Sequence, residues 1–153
     1  MVIAQEDTAN AFLHQSYFLL RNIQQSHTHI EGLKRQIKTM TECIKQGDGE
    51  GAKKFYRVLA QRLDQWHTLI YEVENLAKSQ GRSDVQEVCR GTRLHLSQSR
   101  EHLGFLYNDL EKAEVPRHAR SRAVALRREF NHFAYALSHQ LRKVLLSVNA
   151  EKK

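Results

Sequence analysis

The sequence predicts an all-α protein, an antiparallel up-down-up-down bundle of four long helices, and three observations carry that prediction. Apolar residues recur at alternating spacings of three and four along most of the 153 residues, the signature of a stripe on a helix. Helix breakers are scarce, with one Pro and seven Gly. Five of these eight punctuate the pattern at three places, GDGEG (47–51), SQGRSD (79–84) and AEVPR (113–117). A composition of 41% hydrophobic and 27% charged residues excludes a disordered chain, and so few breakers argue against a many-turned β fold. The length is that of one domain able to bury a single apolar core.

Helix one is expected over about residues 7–45, where Phe12, Ser16, Leu19, Ile23, Ser26, Ile30, Leu33, Ile37, Met40 and Ile44 keep one face for five heptads. GDGEG then reads as a turn, since each glycine costs about 1 kcal/mol inside a helix. Helix two, over 51–79, turns Ala52, Phe55, Leu59, Leu63, Trp66, Leu69, Val73 and Leu76 inward. Gly81 stops it, and Ser83 with Gln86 offers a capping box for helix three, 84–113. The inner residues of helix three are Val85, Cys89, Thr92, Leu96, Ser99, Leu103, Leu106 and Leu110. Pro116 suits the first turn of helix four, 117–149. That helix points Ala119, Ala123, Leu126, Phe130, Phe133, Leu137, Leu141, Val144 and Val148 to the core. At 1.5 Å per residue, rods of this size give a bundle about 45 Å long. Helix one is the longest, and its ends leave room for pairing with another copy as a homodimer or higher homo-oligomer.

Several function classes fall away on composition. No run approaches the roughly 20 apolar residues that cross a bilayer, and MVIAQEDTAN lacks the charged start and apolar stretch of a signal peptide. A cytoplasmic protein without a membrane partner is expected. Cys43 and Cys89 sit in helical patterns and read as reduced thiols. Neither phosphate-cradling glycine loop is present, so no cofactor is expected.

Charge is uneven. Residues 1–78 hold ten Lys or Arg against nine Asp or Glu, and 79–153 hold fourteen against eight. The two halves therefore contribute +1 and +6 to the net charge of +7. At 100 degrees per residue, Arg117, Ser121, Arg128, His132, Tyr135, His139 and Arg142 share the face of helix four opposite its core stripe, followed by Lys143. Guanidinium forks match phosphate oxygens and release counterions, and exposed rings stack on unpaired bases. The reading is a non-enzymatic binding module for RNA or single-stranded DNA. Arg117, Arg128, Arg142 and Lys143 take phosphates in it, while His132, Tyr135 and His139 take bases. The alternatives are an adaptor that holds an acidic protein on the same face or on an extended helix one, or a plain solubilising surface.

The stretch Arg127-Arg128-Glu129-Phe130-Asn131-His132 resembles the Arg-polar-x-x-x-His motif of the HEPN superfamily, all-helical proteins many of which are metal-independent ribonucleases. The resemblance implies that Arg127 and His132 act at a scissile phosphate, usually across a dimer, with the His moving protons and the Arg holding the transferring charge. No metal site is expected among the nine histidines. In a hairpin of helices three and four, equal sums set His95 level with His139 and His102 level with His132. His132 and His139 project away from the core, however, and no Glu-x-x-His pair is read beside them.

Overall fold

A computed structural model describes the backbone of residues 2–151 and the side chains of residues 7–150. The fold is all-helical, with no strand among the described residues. Its elements are α1 (Val2–Gln25), α2 (His27–Lys45), α3 (Gly49–Lys53), α4 (Tyr56–Ser79), α5 (Ser83–Leu110), α6 (His118–Tyr135), a π-helical segment (Ala136–Leu141) and α7 (Arg142–Glu151). No helix among the described residues is long and apolar enough to cross a membrane.

The packing partners follow from the apolar stripes. α4 lies along α5, and α5 along α6; α2 lies along α6, and α1 packs on both α4 and α7. Phe130, Phe133, Leu96, Leu103, Ile37 and Leu63 are sealed at the centre. Trp66 meets Phe133 edge to face, with ring centroids 6.4 Å apart, so the tryptophan fills core as its place on the stripe requires. All eight inner residues expected on helix three are buried.

Four features differ from the sequence-based expectation, each for a local reason. Helix one is not continuous: Ser26 leaves helical geometry at φ −102° and ψ 11°. Its hydroxyl donates to the Ile23 carbonyl at 3.3 Å, the competition with backbone that makes serine a weak helix interior. Only the first part of GDGEG is a turn. Gly47 takes φ +77°, after which Asp48 caps α3 by accepting from the Gly51 amide at 2.9 Å. The capping box at Ser83 does not form; Arg82 occupies the cap position without a side-chain cap, and its guanidinium turns to Asp84 at 3.0 Å instead. Pro116 lies outside α6, and its carbonyl accepts from the Ala119 amide at 3.1 Å. Gly81, by contrast, stops α4 as expected, in left-handed geometry at φ +68°.

The stripes also drift. Leu69 and Leu76 of α4 are only partly buried, while Ile70, Val73 and Ala77 are sealed and Glu74 is carried inward with them. A heptad reading assumes 3.5 residues per turn, and a straight helix departs from it by about 20° per heptad, toward later residues. In the last rod Leu145 replaces Val144 as the sealed residue, because the wider π turn between them and Phe133 advances the face further.

Candidate functional site

Arg117, Arg128, His132, Tyr135, His139, Arg142 and Lys143 are all exposed. The sealed residues Ala119, Ala123, Leu126, Phe130 and Phe133 on the opposite side of the same helix hold them there. Tyr135 is 60% exposed, and its ring tilts against His139 with centroids 4.7 Å apart. The pair straddles the start of the π segment, which sets the rings side by side at the middle of the rod.

The arginines of this rod divide into two groups. Arg120 donates to the Lys45 carbonyl at 3.0 Å, closing the C-terminal end of α2. Arg122 lies over the Phe105 ring at 4.8 Å and brings Nε within 3.2 Å of Asp109. Asp109 is buried and also holds His118, whose Nε2 is 2.9 Å away; together these contacts tie the end of α5 to the start of α6. Arg117, Arg127, Arg128, Arg142 and Lys143 have no carboxylate partner among the described residues. Among the described residues, then, no carboxylate offsets their charge.

The basic surface extends beyond the one helix. Lys34, Arg35 and Lys38 of α2 line a small groove with Arg127 and Asn131 over the apolar floor of Ile37 and Phe130. It runs into a larger groove of about 530 Å³, flanked by His27, Lys34, Tyr135, Ser138, His139 and Arg142. Gln24 and His27, on either side of the Ser26 break, and Leu137, Ser138 and His139 of the π segment line this groove. Glu31 is the one carboxylate there, and it pairs with Lys34 at 3.3 Å. Reading helix four alone missed the α2 residues. The signal was present in KRQIK (34–38), whose cations bracket the inward Ile37.

Arg127 and His132 are not brought together within one chain. Arg127 faces the groove with α2, whereas His132 meets His95 of α5, with ring centroids 5.4 Å apart. Residues five apart on a helix diverge by about 140°, which puts them on different flanks.

The histidine register also differs from the expected one. His95 lies level with His132 rather than His139, and the same register places Asp109 at His118 and Phe105 at Arg122. The connection between α5 and α6 spans residues 111–117, so the hairpin is centred near 114, earlier than equal histidine sums require. Glu129 joins the pair, with its Oε2 3.2 Å from Nδ1 of His95. Glu129 and His132 are themselves a Glu-x-x-His pair, so the expectation that none lies beside these histidines is corrected.

A second polar cluster lies on the α4–α5 side. Glu74 accepts from Arg93 Nε at 2.8 Å and Nη2 at 3.1 Å, and the guanidinium sits 5.2 Å from the Tyr71 ring centroid. The bond to Glu74 raises the Arg93 pKa. Nearby, burial pushes the Cys89 thiol up to about 12, with the Glu74 charge adding to the effect and Arg93 opposing it. Cys89 is thus a protonated core group.

No family model matches this chain, and neither the curated proteins nor the solved structures contain a match to it.

Proposed function

We propose that the chain is one antiparallel four-helix-bundle domain that binds nucleic acid, RNA or single-stranded DNA, on the basic face of its C-terminal rod. The observation that carries this reading is the exposed set Arg117, Arg128, Arg142 and Lys143 on one rod, with no carboxylate partner among the described residues. On the α4–α5 side, by contrast, Arg93 is matched to Glu74 and Arg100 to Asp64. The four cations take phosphates, and Tyr135, His139 and His132 present ring faces to bases between them. Lys34, Arg35, Lys38 and Arg127 extend the phosphate track into the α2–α6 groove. The up-down-up-down arrangement is supported by the neighbour pairs, since α1 packs with α7 while α2 packs with α6, and α4 with α5.

The test is fluorescence anisotropy of a labelled single-stranded RNA across a salt series. The expected result is binding whose log affinity falls with log salt at about 0.7 per neutralised phosphate. The RNA is released uncut in this reading. Absence of binding at low salt rejects it, and recovery of an acidic protein on the same face after nuclease treatment assigns the surface to an adaptor instead.

A further inference from the structure

We propose that His95, Glu129 and His132 form a mononuclear site for a divalent transition-metal ion of the zinc class, joining α5 to α6 beside the basic face. One ligand atom from each residue lies within 4.8 Å of the others. Zinc bonds to imidazole nitrogen and carboxylate oxygen are about 2.0–2.2 Å long, so tetrahedral ligands stand roughly 3.3 Å apart. His95 Nδ1 and Glu129 Oε2 already stand 3.2 Å apart. His132 closes the set by a side-chain rotation, because a residue three positions on from Glu129 lies on the same helix flank.

A second observation is the unusual solvation of Glu129. Its side chain is only 17% exposed. The other enclosed carboxylates lie against arginine: Glu74, at 11% exposure, against Arg93, and Asp109, at 7%, against Arg122. Glu129 has no Lys or Arg partner among the described residues and leans on the His95 imidazole alone. An enclosed carboxylate requires a positive partner, and a metal ion held with two imidazoles supplies one. Two nitrogens and one oxygen fit zinc, and disfavour magnesium and calcium, which take oxygen ligands. His132 is exposed, so the remaining coordination position opens to water. The helices bring together only one Glu-x-x-His pair, outside the sealed core, so the site holds one ion and not the paired ions of carboxylate bundles.

Isothermal titration of the chelator-treated protein with Zn²⁺ tests the site, followed by the Co²⁺ absorption spectrum. The expected result is one equivalent of zinc bound, at least roughly tenfold more weakly in His95→Ala, Glu129→Gln and His132→Ala, with His139→Ala unchanged. At the same zinc concentration the melting temperature of the wild type should rise more than that of His132→Ala. His132 is exposed, so its replacement leaves the fold intact, and circular dichroism checks each variant. Equal zinc affinity in all three variants overturns the proposal. So does a cobalt spectrum with thiolate charge-transfer bands, which would place the ion on a cysteine, or no zinc binding at all. None of these outcomes depends on RNA binding.

Discussion

Arg93 and Arg100 of α5 each donate to a carboxylate of α4 and each lie over one of its tyrosine rings, Tyr71 and Tyr56. Arg128 and Arg142, on α6 and α7, meet neither a carboxylate nor a ring among the described residues. The four side chains are chemically identical, and what separates them is the neighbouring helix. α4 offers Asp64 and Glu74 to α5, whereas the outer face of the C-terminal rod looks into water. Arginine on the first surface is a clamp between helices; on the second it is a charge available to a partner.

Removing a clamp gives the largest expected effect. Arg93→Ala strands the enclosed Glu74 carboxylate, and loss of one partner of such a pair costs about 3 kcal/mol. Urea denaturation should show that loss while RNA affinity stays at the wild-type value. If stability is unchanged, the two sets of arginines do not differ in the way described. Charge reversal on the free set should do the opposite. The double variant Arg128→Glu, Arg142→Glu should keep its stability within about 0.5 kcal/mol, and its salt dependence should fall by the slope of about two phosphates. An unchanged slope would remove those two positions from the interface.

Smaller effects sharpen the contrast. Tyr135→Ala should weaken single-strand binding by about 1 kcal/mol, the lower end for one stacked base, and leave the salt slope alone. Thiol labelling at mildly alkaline pH compares the two regions with the least perturbation. Cys43, half-buried, should react first, and Cys89 should be slow because its thiol is pushed up to about 12 and it reacts only when α4 and α5 part. Arg93→Ala should speed Cys89 labelling, and Arg128→Glu should not.

The two regions were unequally legible. On α5 the heptad stripe from Val85 to Leu110 is buried throughout, because α4 and α6 cover this helix from two sides and a wide inner face tolerates the drift. The exposure of Arg117, Arg128, His132 and Tyr135 followed from the phase of Phe130 and Phe133. Glu74 was overlooked as an inward group because the heptad template does not track the drift of a straight helix. His95 and Glu129 were not paired because their register depends on the centre of the α5–α6 connection, a property of a loop. The α2 share of the basic groove required knowing that α2, not α4, lies beside α6.

Sequence by itself determined the helices, most of their inner faces and the excess of cations on the last one, since each follows from residue type and one rotation angle repeated along a segment. Tertiary structure decided which arginines are bound to carboxylates, that Arg127 and His132 stand on different flanks, and that His95, Glu129 and His132 meet. Those outcomes depend on distances between segments remote in the chain, and such distances are set by how helices slide and turn against one another, a degree of freedom that no single stripe records.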